Sequence, residues 1–152
     1  MSGKIIVKFK RISEDFNDIP IPKYATVGSA GMDIRAALKF DLILLPGQTE
    51  LVPTNISVEI PKGYEIQVRP RSGLAINHGI TILNSPGTID SDYRGEVKII
   101  LINHGKNPFT ITSGDRIAQL VLSKVYIAEL EESNKLNDSD RGEGGFGHTG
   151  KK

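Results

Sequence analysis

The chain has 152 residues, enough for one domain that buries roughly 70% of its unfolded surface. Nineteen Lys and Arg against eighteen Asp and Glu leave a formal charge of +1. That balance excludes the basic footprint of a duplex nucleic-acid binder and a polybasic membrane patch. The absence of cysteine excludes disulfides and thiolate metal sites.

The amino end, MSGKIIVKFKR, has no apolar run long enough for a signal peptide, because charges interrupt it after three apolar residues. A soluble, cytoplasmic protein is expected. Ile5, Val7 and Phe9 alternate with Lys8 and Lys10, a strand signature. Asp33 lies between Met32 and Ile34, just after Ala30 and Gly31, so it starts or interrupts a strand. The aliphatic runs Leu42–Leu45 and Ile99–Ile102 are too short to span a bilayer. Strands are predicted over Glu50–Ile60, Tyr64–Val68, Gly95–Asn103, Phe109–Thr112 and Arg116–Val125, all rich in Val, Ile, Leu and Thr. Turn residues separate them at Pro46-Gly47, Pro61–Gly63, Asn84–Gly87, Asn103–Gly105 and Ser113–Asp115. One helix is predicted, capped by Ser72, running through Gly73 to His78 and stopped by Gly79. The fold class is therefore all-β, a jelly-roll sandwich or barrel with one short helix. A strand-rich chain of this size has edges to protect, which points to a closed oligomer.

Several clusters combine residue types suited to chemistry. Pro70-Arg71-Ser72-Gly73 opens the helix, where unpaired N–H groups and a flanking guanidinium suit a phosphate; an ordinary serine cap is the plainer alternative. Asp90-Ser91-Asp92-Tyr93-Arg94 places two carboxylates, a phenol and a guanidinium between a turn and an apolar strand. Either a carboxylate there activates a water, or Asp90 bonds nearby N–H groups in a solvated turn. Asp115 beside Arg116 is an ion pair or a turn device, and Gln119 needs a structural or ligand partner inside its aliphatic strand. His78, His104 and His148 show no metal-ligand spacing, and neither a phosphate-binding lysine loop nor a strand–GxGxxG–helix unit is present. The polar run Glu129–Asp140 leads into Arg141-Gly-Glu-Gly-Gly-Phe146-Gly-His-Thr149-Gly150. Half of that decapeptide is glycine, so it is either a disordered terminus or a flap closing on an anionic, aromatic ligand.

Read in order, these pieces resemble the five motifs of the trimeric deoxyuridine triphosphate nucleotidohydrolases (dUTPases). They are Ala30–Ala36, Pro70–Ala75, Gly87–Gly95, Gly114–Leu120 and the Gly-rich tail. The resemblance implies a distorted jelly roll over residues 1–136 and a flexible flap over 137–152. It further implies a homotrimer whose active sites are shared between subunits, with neither nucleic acid nor membrane as partner. The implied reaction is Mg²⁺-dependent hydrolysis of dUTP to dUMP and pyrophosphate.

The same resemblance implies roles for individual residues. Asp90 is the base for the attacking water, and Tyr93 lies under the deoxyribose and excludes a 2′-hydroxyl. Asn84 and the hairpin backbone at Gly87, Thr88 and Ile89 read uracil, and Lys98 also binds substrate. Arg71, Ser72, Gly73 and Gln119 hold phosphates and the water, while Asp33 acts on magnesium through its water shell. Arg141 pairs with the γ-phosphate, Phe146 stacks on uracil, and Gly147 and Thr149 close on the phosphates. His148 stands where many family members carry serine. Two alternatives remain: a dCTP deaminase-like nucleotide enzyme, or a non-catalytic jelly-roll binding module.

Overall fold

The computed structural model describes residues 3–146. Ten strands and one helix follow in order: β1 (Lys8–Arg11), β2 (Met32–Arg35), β3 (Leu42–Leu44), β4 (Thr49–Glu59), β5 (Tyr64–Arg69), α1 (Ser72–His78), β6 (Ile80–Ile82), β7 (Gly87–Ile89), β8 (Glu96–Asn103), β9 (Phe109–Ile111) and β10 (Arg116–Lys124). A 3₁₀ turn at Glu14–Phe16 follows β1, its first turn capped by the Ser13 hydroxyl, which accepts from the Asp15 N–H.

Two four-stranded sheets, ordered β1-β4-β8-β6 and β2-β10-β5-β7, enclose the core, and β3 pairs with β9 as a smaller ribbon. Every pairing between strands is antiparallel. Period-two alternation creates this arrangement: in β8, Val97, Ile99 and Leu101 point inward while Glu96, Lys98 and Ile100 share the other face. The core is wholly aliphatic and dominated by isoleucine, including Ile34, Ile66, Ile80, Ile99, Ile111 and Ile117. β-Branched side chains are stiff and pack well on pleated surfaces, so the composition fits the fold.

The eleven-residue β4 does not run straight. Its register against β8 shifts between Pro53 and Ser57, and Asn55 adopts φ 61° at the irregularity. Asparagine tolerates this left-handed region better than most residues. Its buried amide is tied to the Ser13 backbone, accepting from N–H at 2.7 Å and donating to C=O at 2.9 Å.

The helix differs from its predicted form by one position. Arg71, in extended conformation, is the N-cap residue, no side chain caps the turn, and Ser72 is the first helical residue. Arg71 is the cap because its backbone is extended while its carbonyl already accepts the first helical bond, from the Ala75 N–H at 3.1 Å. Gly79 ends the helix at φ 70°, as expected, with its N–H donating to Ala75 and Leu74 carbonyls. After β10 the Val125 N–H still bonds the Gly63 carbonyl, but residues 126–146 form no strand or helix and carry Tyr126, Ile127, Leu130 and Leu136 exposed.

Candidate active site

The predicted residues fall into three groups. The first lies on the sheet β2-β10-β5. Gln119 of β10 is paired with Asp33 of β2 on one side and Arg69 of β5 on the other, so the three project from the same face. Asp33 is held by two guanidiniums: Arg71 Nε donates to Oδ1 at 3.1 Å, and Arg116 Nη1 to Oδ2 at 3.2 Å. Arg71 also donates to the Arg116 carbonyl at 3.0 Å, which fixes its fork over the strand start. Asp33 and Arg71 are each about a quarter exposed or less, so this network is partly desolvated. A cavity of about 260 Å³ opens beside it, walled by Lys23, Gly31, Asp33, Arg69 and Gln119. The Gln119 amide makes no side-chain hydrogen bond among the described residues, which leaves it available to a ligand. Asp115 is a turn device rather than a partner of Arg116, because its Oδ2 accepts the Thr112 N–H at 2.8 Å.

Ser72 and Gly73 stand exposed on the first turn of α1, next to Arg71. A Cβ added at Gly73 would meet nothing within 4 Å, so nothing within this chain requires glycine there. Glycine in a helix is nevertheless less stable than alanine by up to about 1 kcal/mol. The residue therefore leaves room for something outside the chain.

The second group surrounds the hairpin between β6 and β8. Asn84 faces β7 across the turn: a Cβ at Gly87 would sit 3.2 Å from Asn84 Nδ2 and 3.2 Å from Val68. Strand β7 pairs with β5, bringing Gly87 opposite Val68 and Thr88 opposite Gln67, while Ile89 points into the core. Asp90 follows immediately, exposed, in a turn closed by the Tyr93 N–H on the Asp90 carbonyl at 3.2 Å. Its carboxylate has no hydrogen-bond partner among the described residues, so the alternative of an acid engaged by local N–H groups does not hold. Arg94 knits the turn by donating to the Ser91 and Tyr93 carbonyls. The Tyr93 hydroxyl donates to the Glu96 carbonyl at 3.0 Å, and its ring lies across Gly95, where a Cβ would collide with the phenol. Glycine at 95 is thus required by the tyrosine's position. A cavity of about 480 Å³ is lined here by Thr88, Asp90, Tyr93, Glu96 and Lys98, together with apolar residues of β4 and β8.

The third group is the tail. Arg141 donates from Nε to the Gly144 carbonyl at 2.6 Å within its own turn and meets neither cavity. Phe146 is fully exposed, with φ 49°. Gly147, His148 and Thr149 lie outside the described residues.

The structure also supplies site residues that sequence reading passed over: Arg116 as second partner of Asp33, Arg69 beside Gln119, and Glu96 beside Lys98. Strand register points to Arg69, which faces Gln119 across β10, whereas Arg116 stands opposite Arg35 and reaches Asp33 across the register shift before Ala118. No group of three or more His, Cys, Asp or Glu side chains with metal-binding geometry occurs among the described residues. No helix among them is long and apolar enough to cross a membrane.

The family model described as dUTPase matches residues 17–150. The chain is 53% identical over 146 residues to the deoxyuridine 5′-triphosphate nucleotidohydrolase of Caldanaerobacter subterraneus subsp. tengcongensis, covering 96% of this chain and 98% of that one. It is 55% identical over 133 residues to the protein of the same name from Neorickettsia sennetsu, covering 88% and 89%. Among solved structures, the dUTPase of Staphylococcus bacteriophage 80alpha with dUPNHPP superposes with a TM-score of 0.84 at 25% identity, covering 95% and 98%. The chain is a member of the dUTPase family.

Proposed function

We propose that this protein hydrolyses dUTP to dUMP and pyrophosphate, as a homotrimer whose sites are each assembled from more than one subunit. The observation that carries the reading is the division of the site on one chain. Asp90 and Tyr93 line one cavity, Asp33 and Gln119 line another, and the two share no residue. Each half is chemically incomplete: one has a free carboxylate and a sugar-sized aromatic wall, the other has guanidiniums and an unpaired amide. Juxtaposing the halves from different copies supplies both, and exposed Leu51 and Leu83 give the hairpin side apolar surface to cover.

In this scheme uracil enters the Asn84 hairpin, where the backbone of Gly87, Thr88 and Ile89 reads its edge. Cytosine presents a donor where uracil presents an acceptor and leaves polar groups unpaired. The Tyr93 ring, pinned by its bond to Glu96, walls the deoxyribose and leaves no room for a ribose hydroxyl. Lys98 adds a cation on the same side. Arg71, the first turn of α1 at Ser72 and Gly73, and Gln119 hold the phosphates and the attacking water. Asp90 takes a proton from that water as its oxygen bonds the α-phosphorus. The bond from α-phosphorus to the bridging oxygen breaks, and pyrophosphate leaves with the electron pair. Arg141 pairs with the γ-phosphate, Phe146 stacks on the base, and Gly147 and Thr149 complete a flap that excludes other water.

Mg²⁺ belongs to the proposal in a limited form. Both Asp33 oxygens are already engaged by arginines, and no multidentate acidic cluster exists among the described residues. The donor set therefore suits a metal carried by the triphosphate oxygens, with Asp33 reaching its water shell. Bound that way it would neutralise phosphate charge. A cytoplasmic location fits a chain that uses free nucleotides and contains no cysteine.

The test is direct. Purified protein with Mg²⁺ is given dUTP, dCTP, dTTP and UTP separately, and pyrophosphate and ammonia are measured. Pyrophosphate from dUTP alone is expected. Ammonia from dCTP would replace the reading with a deaminase, and silence on all four would leave a binding module.

A further inference from the structure

Glu96 joins three features that otherwise look unrelated. It opens β8 on the same outward face as Lys98, opposite the irregular part of β4. One carboxylate oxygen accepts two backbone N–H groups from that irregularity, Asn55 at 2.9 Å and Thr54 at 3.2 Å. The N–H groups cannot drift, because Asn55 is buried and locked to Ser13 by its own amide. The other oxygen lies 3.6 Å from Lys98 Nζ. The Glu96 carbonyl meanwhile accepts the Tyr93 hydroxyl. A single residue, anchored to a rigid bulge, thus borders both Tyr93 and Lys98 in the Asp90 cavity.

We infer that Glu96 is a positioning residue for substrate binding: it uses the β4 bulge as a fixed post from which to hold the Lys98 ammonium beside Asp90. The inference rests on the proposed hydrolysis of dUTP and assigns a specific device to that site. A partly exposed Lys–Glu pair at this separation contributes little to stability, so its value here is orientational. A lysine carries substantial rotamer entropy, and restraining it before substrate arrives lowers the cost of binding. Glu96 achieves this with one carboxylate because its backbone contacts fix where the second oxygen points.

The variant that separates positioning from simple structural support is Glu96→Gln. Glutamine keeps an oxygen for the Thr54 and Asn55 N–H groups but loses the charge that attracts Lys98. The expected result is a Tm within about 2 °C of wild type, with KM for dUTP raised about tenfold and kcat nearly unchanged. Calorimetric affinity for dUpNHpp should fall by the same factor. In a Lys98→Ala background the same substitution should cost nothing further, since its target is gone. Additive effects in the two backgrounds, or an unchanged KM, would overturn the role of Glu96 while leaving dUTP hydrolysis intact. A wild-type protein inactive on dUTP would overturn both.

Discussion

Asp90 is the residue on which the proposed chemistry turns, and its surroundings make a sharp prediction. Its carboxylate is exposed and has no hydrogen-bond partner among the described residues, so Asp90→Asn removes no structural bond. The Tm should be unchanged while kcat falls by about 10²–10⁴, the usual range for losing a general base, with KM little altered. Thermal melts and steady-state assays of one variant check both halves. Asp33 behaves oppositely, because its loss leaves Arg71 and Arg116 facing each other without their shared anion. The residue types at 33, 71, 90, 93 and 119 stood out in the chain as candidates for a nucleotide site. The double ion pair on Asp33 was not legible there, because it exists only through the β2–β10 register and the approach of the α1 entrance. At another surface position, the Lys8 hydrogen bond and charge hold the Glu59 carboxyl below its ordinary value of 4.5, with Lys8 Nζ 3.0 Å away. A depressed carboxylate stabilises the fold above the unfolded value and loses that contribution as pH falls through the folded one. Glu59→Gln should therefore lower stability slightly at neutral pH and leave it unchanged at acid pH, which flattens the acid limb of the stability curve. Chemical denaturation at pH 3 to 7 reads this.

Helix α1 illustrates how an element can be compromised for a site. It is seven residues long, buries no residue fully and has no side-chain N-cap. An element so weakly supported should not tolerate a glycine in its first turn unless the glycine is used. Gly73→Ala is expected to raise stability by up to about 1 kcal/mol while lowering kcat/KM for dUTP, because the new methyl enters space free of this chain's atoms. A gain in both stability and activity would remove Gly73 from the phosphate site. The long strands β4, β5, β8 and β10 were readable because each is rich in Val, Ile, Leu or Thr over six or more residues. Strands β6 and β7 were not: three residues give no period, and Gly87 reads locally as part of a turn. The bulge in β4 was equally hidden, since nothing near Asn55 announces that Ser13 and Glu96 will satisfy its polar groups.

For the whole molecule, the separated cavities matter most. A truncation after Asp140 removes Arg141 and Phe146, which touch neither cavity, so the fold should melt as before while dUTP turnover collapses. Circular dichroism and pyrophosphate release together test it. The wholly aliphatic core supports this separation of roles, since stability resides in the facing sheets and not in the tail. The division of the Asp90 cavity from the Asp33 cavity also has a genetic meaning. Two inactive alleles, one altered at Asp90 and the other at Arg71, each damage a different half of every site. When both are expressed together, a site that draws its hairpin from one product and its phosphate face from the other is whole again. Random assortment of equal amounts restores about one site in four, so two dead alleles should complement each other inside a single assembly.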